Sequence, residues 1–308
     1  MARTSTDSSS RRDLPIPHAP SRPAEIEQKL RSLGVRPDRR RGQSFLADPF
    51  VADAEAALLG TKPGVPVLEV GGGLGILTEA LLRRGIEPLT VIESDPRLAA
   101  HLQKTFGERV DVRIGDATTL PIPDVPAAVG NLPYSIATPI LLRLFEARIP
   151  RVVAMVQREV ADRLTASYGS RSYGRLTVIV RLFGTVEPFQ VVPPTAFRPE
   201  PAVDSQVVAF TGRPGPLPVE SFPTLERVLQ ALFSSRRKQL GNLLPRLTPD
   251  AEAIAQEAGW PSEWPHRRPE DLPPEAFYGL ADALHRRSRS TPRGALKWEK
   301  PPSAPRSR

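Results

Sequence analysis

LEVGGGLG, residues 68–75, decides the fold. An apolar run typical of a buried strand halts on Gly71, Gly72, Gly73 and Gly75, and an amphipathic pattern takes over at Leu74 and closes at Gly85. A strand that enters a glycine turn and leaves as a helix is the first unit of an α/β layer structure. The same alternation continues outward. Strands are expected at 65–70, 89–92, 110–114, 127–129 and 151–156, with helices at 74–84, 97–106 and 138–146 between them. Such units dictate a mostly parallel sheet covered on both faces. After Gln157 the pattern changes to two helices, 159–164 and 175–183, and two strands, 186–192 and 205–210. A proline-rich bend joins those strands without a helix, so they form an antiparallel pair at one edge, for seven strands in all. Upstream, helices are expected at 25–33 and 50–59. Downstream, the GRPGPLP linker (212–218) precedes helices at 225–233, 238–244, 251–258 and 274–284. The expected organisation is a disordered basic tail (1–23), an α/β domain (24–212), a small helical domain (219–287) and a second disordered basic tail (288–308).

Composition narrows the function classes. Among 308 residues there is no cysteine, which excludes thiolate metal sites and a cysteine nucleophile. Four scattered histidines share no ligand spacing, so no metal site is expected. No apolar stretch suits a membrane span and the N-terminus has no apolar signal core, so the expected compartment is the cytoplasm. Thirty-six prolines exclude long uninterrupted helices. The net charge of +8 is concentrated at the ends: ten Lys/Arg against five Asp/Glu in 1–41, and eight against one in 286–308. The middle is net acidic. Basic arms of this kind suit phosphate backbones.

The strand ends carry the chemistry. The glycine turn lets a ligand approach the backbone at a helix N-terminus. Ile76 stands where a dinucleotide fingerprint needs its third glycine, so the NAD pattern fails, and no proton-relay histidine accompanies it. Glu93, about twenty residues on, can accept from ribose hydroxyls, and Asp116 in GDA can accept from an adenine amine. Together these features point to S-adenosylmethionine, which has adenosine but no pyrophosphate. After the fourth strand come Asn131, Leu132, Pro133 and Tyr134. The Asn131 amide oxygen and a backbone carbonyl can accept both N–H bonds of a base's exocyclic amine and aim its lone pair at a methyl donor. Pro133 stiffens the turn, and Tyr134 offers a face for a flipped-out base.

GQSFL (42–46), LEVGGGLG, VIESD (91–95), GDA (115–117), NLPY (131–134), VVPPTAFRPEPAVDS (191–205) and FSSRRKQLGNLL (233–244) occur in this order. Through them the chain resembles the small-subunit rRNA adenine-N6,N6-dimethyltransferases from about residue 30 to 284. The resemblance implies a Rossmann-like S-adenosylmethionine-dependent methyltransferase fold with a small C-terminal α-helical domain. It implies cofactor contacts from Ser44, Leu46, Gly71, Gly73, Glu93, Asp116 and Asn131. It also implies that Phe197 stacks on the target adenine opposite Tyr134, and that Arg236, Arg237 and Lys238, opening a helix, touch rRNA. The implied partner is small-subunit rRNA in an immature 30S particle, met by a monomer. Two departures stand out: Ser44 where the family usually has Asn or His, and Gly72 where it has Pro or Ala. The latter is expected to loosen the loop. His266, Arg267 and Arg268 are candidates to extend the basic patch, and Trp260 and Trp264 read as packing residues.

Two other readings remain. One is a macrolide-resistance-type methylase of large-subunit rRNA, against which Leu132 and the SRRKQLGN segment argue. The other is a non-catalytic RNA-binding assembly factor, against which intact Asn131 and Tyr134 argue.

Overall fold

The computed structural model describes residue 19 and residues 22–38, 43–214 and 221–290. Nearly all of both expected tails, residues 39–42 and the end of the linker lie outside the described residues. The chain divides into two units, Met1–Gly215 and Pro216–Arg308.

The first unit runs α1 (Pro23–Ser32), β1 (Phe45–Leu46), α2 (Pro49–Leu59), β2 (Val67–Val70), α3 (Ile76–Arg83), β3 (Leu89–Glu93), α4 (Pro96–Phe106), β4 (Val110–Ile114), β5 (Ala127–Asn131), α5 (Ala137–Glu146), β6 (Arg151–Gln157), α6 (Arg158–Thr165), α7 (Arg175–Phe183), β7 (Gly184–Val192), β8 (Phe197–Arg198) and β9 (Ser205–Gly212). Seven strands form one sheet in the order β4-β3-β2-β5-β6-β9-β7. The first five are parallel, and β9 runs antiparallel to both β6 and β7. The edge pair is therefore where its helix-free connection requires it. Pro188 is accommodated because β7 is the edge strand, with a register irregularity between Pro188 and Val191.

Helix starts follow local chemistry. Asp48 and Asp95 each accept from a backbone N–H two residues on, and a proline follows at the first helical position. Side chains alternate across the strands. Val67, Val91, Val129, Val153, Met155, Val207 and Ala209 share a core with apolar residues of α2, α3 and α4. On the α5–α7 side, the Phe145 and Phe210 rings lie 4.6 Å apart. A two-stranded sheet that periodicity did not reveal pairs Phe45 with Arg198 and Leu46 with Phe197.

The second unit contains α8 (Phe222–Phe233), α9 (Leu240–Leu243), α10 (Ala251–Glu257) and α11 (Pro274–Ser290). α11 packs on α8 and α10, with Phe233 and Phe277 5.5 Å apart. Trp260 and Trp264 are buried in an edge-to-face pair, and the Trp260 indole donates to the Ala276 carbonyl at 2.9 Å. The expected helix at 238–244 is corrected to the single turn of α9. Gln239 is extended (φ −70°, ψ 150°), and Pro245 follows in a 3-10 turn. Arg236, Arg237 and Lys238 consequently occupy the turn after α8 rather than a helix.

Candidate active site

Parallel strands put all their carboxyl ends at one edge of a sheet. Here the strand order places Asp116 beyond β4, Glu93 at the end of β3, the glycine turn after β2 and Asn131 at the end of β5, in a row. Three interstrand steps make this row roughly 14 Å long. Chain order reverses between β2 and β5, which is where open α/β sheets bind ligands. A cavity of ≈ 480 Å³ opens there. Ser44, Leu46, Gly71, Gly73, Glu93, Asp116, Asn131, Leu132, Pro133 and Tyr134 all line it.

The turn is tightly built. The Gly71 N–H donates to the Ile92 carbonyl at 2.8 Å and the Gly75 N–H to the Gly72 carbonyl at 2.9 Å. Gly75 has φ +90°, and a Cβ there would lie 2.5 Å from the Phe106 ring. A Cβ at Gly72 would lie 2.6 Å from Val91 and 2.7 Å from Leu102, so core side chains already occupy the space that the family's usual Pro or Ala would take.

Glu93 is 6% exposed, and its two oxygens accept N–H groups from Gly73 and Asp95, each at 2.9 Å. Burial pushes its carboxyl up, while the N–H groups of Asp95, Gly73 and Ser94 hold it back. Asp116, at the cavity's open end, is held below the usual carboxylate range by the Thr118 backbone N–H, 2.7 Å away, and remains ionised at neutral pH. Arg143 of α5 donates to the adjoining Ala117 carbonyl at 3.2 Å and adds positive field.

β5 delivers Asn131 between two close neighbours. A Cβ at Gly130 would sit 2.4 Å from the Val70 carbonyl oxygen, so only glycine lets β5 approach β2 this closely. The Leu132 N–H donates to Met155, extending the β5–β6 ladder, and the Ile136 N–H donates to the Pro133 carbonyl. Tyr134, half-buried, has its hydroxyl 2.5 Å from Ser205 Oγ.

A donor with adenosine and an amino-acid arm fits this row. A buried acceptor stands at the ribose position, an ionised acceptor at the adenine end, and turn backbone at the other end. The cavity falls within the range of small-molecule sites.

Phe197 is the exception among the expected residues. It is fully buried in the core with Leu46, Val192 and Ala196 and lines no part of the cavity. Its strand pairing with Leu46, and the bond from the Ala47 N–H to the Ala196 carbonyl at 2.7 Å, turn the ring inward. In this conformation the FRPEP segment clasps the segment that carries Ser44, and the stacking face expected of Phe197 is withheld.

Sequence reading assigned no role to Gln43 or Ser205. Gln43 lines the cavity and closes the preceding turn by accepting from the Asp38 N–H at 2.9 Å. Both residues lie inside quoted motifs, and that was their only signal.

In the second unit Arg237 and Lys238 are exposed, while Arg236 forms a two-nitrogen ion pair with Glu270 at 2.5–2.8 Å. The Leu240 N–H donates to the Arg267 carbonyl at 2.8 Å, which brings the exposed His266, Arg267 and Arg268 beside that turn. Among the described residues no helix is long and apolar enough to cross a membrane, and no group of three or more His, Cys, Asp or Glu could hold a metal ion.

Comparison with known proteins agrees with this arrangement. The probable ribosomal RNA small subunit methyltransferase A of Natronomonas pharaonis is 39% identical over 259 residues, covering 80% of this chain and 93% of that protein. The ribosomal RNA small subunit methyltransferase A of Vibrio vulnificus is 37% identical, covering 82% and 96%. Among solved structures, a dimethyladenosine transferase from Plasmodium falciparum superposes with a TM-score of 0.64 at 25% identity, covering 79% and 98%. The 23S rRNA methyltransferase ErmE gives 0.57 at 29%, covering 78% and 99%. The family model for ribosomal RNA adenine dimethylase matches residues 36–259, from before the cofactor segment through α10. With Asp116, Glu93, the glycine turn and the Asn131 turn aligned along one sheet edge, the chain belongs to the ribosomal RNA adenine dimethylase family, enzymes that use S-adenosylmethionine.

Proposed function

We propose that this protein dimethylates N6 of two adjacent adenines in the 3′-terminal hairpin of small-subunit rRNA. The observation that carries this reading is the row along the sheet edge, which ends on the Asn131 turn rather than on a general base. The small-subunit target rests on the names of the relatives at 37–39% identity.

S-adenosylmethionine supplies an electrophilic methyl group. Glu93 would hold its ribose, Asp116 its adenine, and the turn from Gly71 to Gly73 its amino-acid arm. Asn131 and the Leu132 carbonyl accept the two N–H bonds of the adenine N6, because the Pro133 carbonyl is engaged by Ile136. That double acceptance favours a pyramidal nitrogen with its lone pair directed into the cavity. The cavity's two carboxylates stand two and three strands from Asn131, so neither takes the N6 proton before attack. The proton leaves to water once the nitrogen carries positive charge. Tyr134 stacks on the base.

Arg237 and Lys238, with His266, Arg267 and Arg268, supply phosphate contacts to an immature 30S particle. We read the enzyme as a monomer that acts in the cytoplasm, where that particle assembles. Mass mapping of both rRNAs from cells lacking the gene tests the reading. Loss of paired dimethyladenines from the small subunit supports it. Loss from the large subunit overturns it, and unchanged methylation assigns a non-catalytic role.

A further inference from the structure

We infer that Ser205 is a positioning residue for methyl transfer, acting through Tyr134; this rests on the proposed role of Tyr134 as the stacking face. Ser205 opens β9 and is fully buried, paired on one side with Gln157 of β6 and on the other with Val192 of β7. Its Oγ meets the Tyr134 hydroxyl at 2.5 Å, across 71 residues of sequence. Tyr134 itself belongs to the turn after β5 and lines the cavity. The ring is thus fixed at both ends, its Cα by the Leu132 and Ile136 backbone bonds and its hydroxyl by a strand interior.

A tyrosine held only by its own turn is free to swing its whole ring between side-chain rotamers, and stacking a base then requires ordering that ring at each encounter. The tether removes this cost in advance. A buried hydroxyl stripped of its partner is penalised, so each member of the pair holds the other in place. A strand also makes a firmer anchor than a loop. Tyr134 follows β5, two strands from Glu93, and Ser205 lies further still on β9, so the pair stands at the target end of the site and governs the nucleic acid rather than the methyl donor.

The test is a cycle of Ser205→Ala, Tyr134→Phe and the double variant. Each keeps an aromatic ring at 134 while removing one or both hydroxyls. Each single variant is expected to lower kcat/KM for immature 30S particles by roughly ten- to a hundredfold, with S-adenosylmethionine affinity within about twofold of wild type. The double variant should be no worse than either single. Multiplicative losses in the double variant, wild-type kcat/KM in Ser205→Ala, or an equal loss of donor affinity would each overturn the assignment. Side-chain rotamer averaging of Tyr134, read from three-bond couplings in 13C-labelled tyrosine, provides a readout independent of activity. Tyr134 should average over more χ1 rotamers in Ser205→Ala, and unchanged couplings overturn the tether. Failure of the wild type to methylate small-subunit particles would instead refute the function proposed above, leaving the rotamer result intact.

Discussion

Replacing Glu55 by Gln should make the catalytic unit more stable near neutral pH and leave it little changed in mild acid. Glu55 sits on α2, fully buried among Val51, Ala52, Ala56 and Leu59, and neither of its side-chain oxygens has a hydrogen-bond partner among the described residues. Glu69 on β2 is equally buried, with one oxygen bonded to Thr78 at 2.8 Å. Burial, reinforced by Glu69, pushes Glu55 from 4.5 up to about 8. Glu69 likewise rises to about 8, chiefly through burial. Because the folded value lies above the unfolded one, the native state keeps a proton that the unfolded chain has released between pH 4.5 and 8. Stability is complete below that window and falls as pH rises through it. Each pH unit inside the window costs about 1.36 kcal/mol per group, so removing Glu55 should gain on the order of 3 kcal/mol between pH 5 and pH 7. Relief of the repulsion on Glu69 adds in the same direction. All three tryptophans follow residue 216, so their fluorescence does not report on this unit. Hydrogen exchange of α2 and β2 peptides, corrected for intrinsic rates, does. The protection ratio of Glu55→Gln to wild type should grow about a hundredfold from pH 5 to pH 7. A ratio that stays constant, or one that falls, would refute burial of a protonated pair.

Four further substitutions have defined outcomes. Glu93→Ala removes an acceptor fixed by two backbone N–H groups, and calorimetry should show donor affinity down by about 2–3 kcal/mol or more, with RNA affinity kept. Asn131→Ala should cut methyl transfer by roughly a hundredfold or more while donor affinity stays within a few-fold; single-turnover assays separate the two. Reversing Arg237 and Lys238 to Glu should lower turnover on immature 30S particles more than bulk RNA affinity. Arg236→Ala should in addition lower the thermal stability of the helical unit, because it strands the partly buried Glu270.

The parts of the molecule legible in sequence are those whose signal is local. The glycine turn, the carboxylates at successive strand ends and the Asn131 turn are each fixed within a few residues. Parallel pairing then carries local order into spatial order without further information. In the first unit the helix bounds held to within two residues, as where Asp48 and Asp95 cap and Pro49 and Pro96 open, whereas in the second α8 starts three residues before the expected 225 and α11 runs six residues past the expected 284, into the segment expected as a tail from 288. The parts that were not legible depend on a partner far along the chain. Glu55 in an Ala-rich helix carries no local sign of burial, and only the packing of α2 on α3 and the sheet reveals that it points inward.

Phe197 and Arg236 show the same limit at the functional residues themselves. FRPEP reads as part of a proline-rich bend between two strands, and the resemblance gave its aromatic ring a base to stack on. A two-residue ladder with Phe45 and Leu46 is too short to leave any periodicity, yet it is enough to rotate Phe197 fully into the core. Arg236 reads as equivalent to its two basic neighbours, but Glu270, 34 residues away, takes its guanidinium. Charge density along the sequence therefore overstates the cation available to RNA at 236–238. The same fold brings His266, Arg267 and Arg268 beside that turn through a single backbone bond to Leu240, with Arg267 itself paired to Glu263 at 3.2 Å. A basic surface assembled from two separated segments has its charges set by backbone geometry rather than by run length. Such a surface is suited to orienting a folded RNA as well as attracting it.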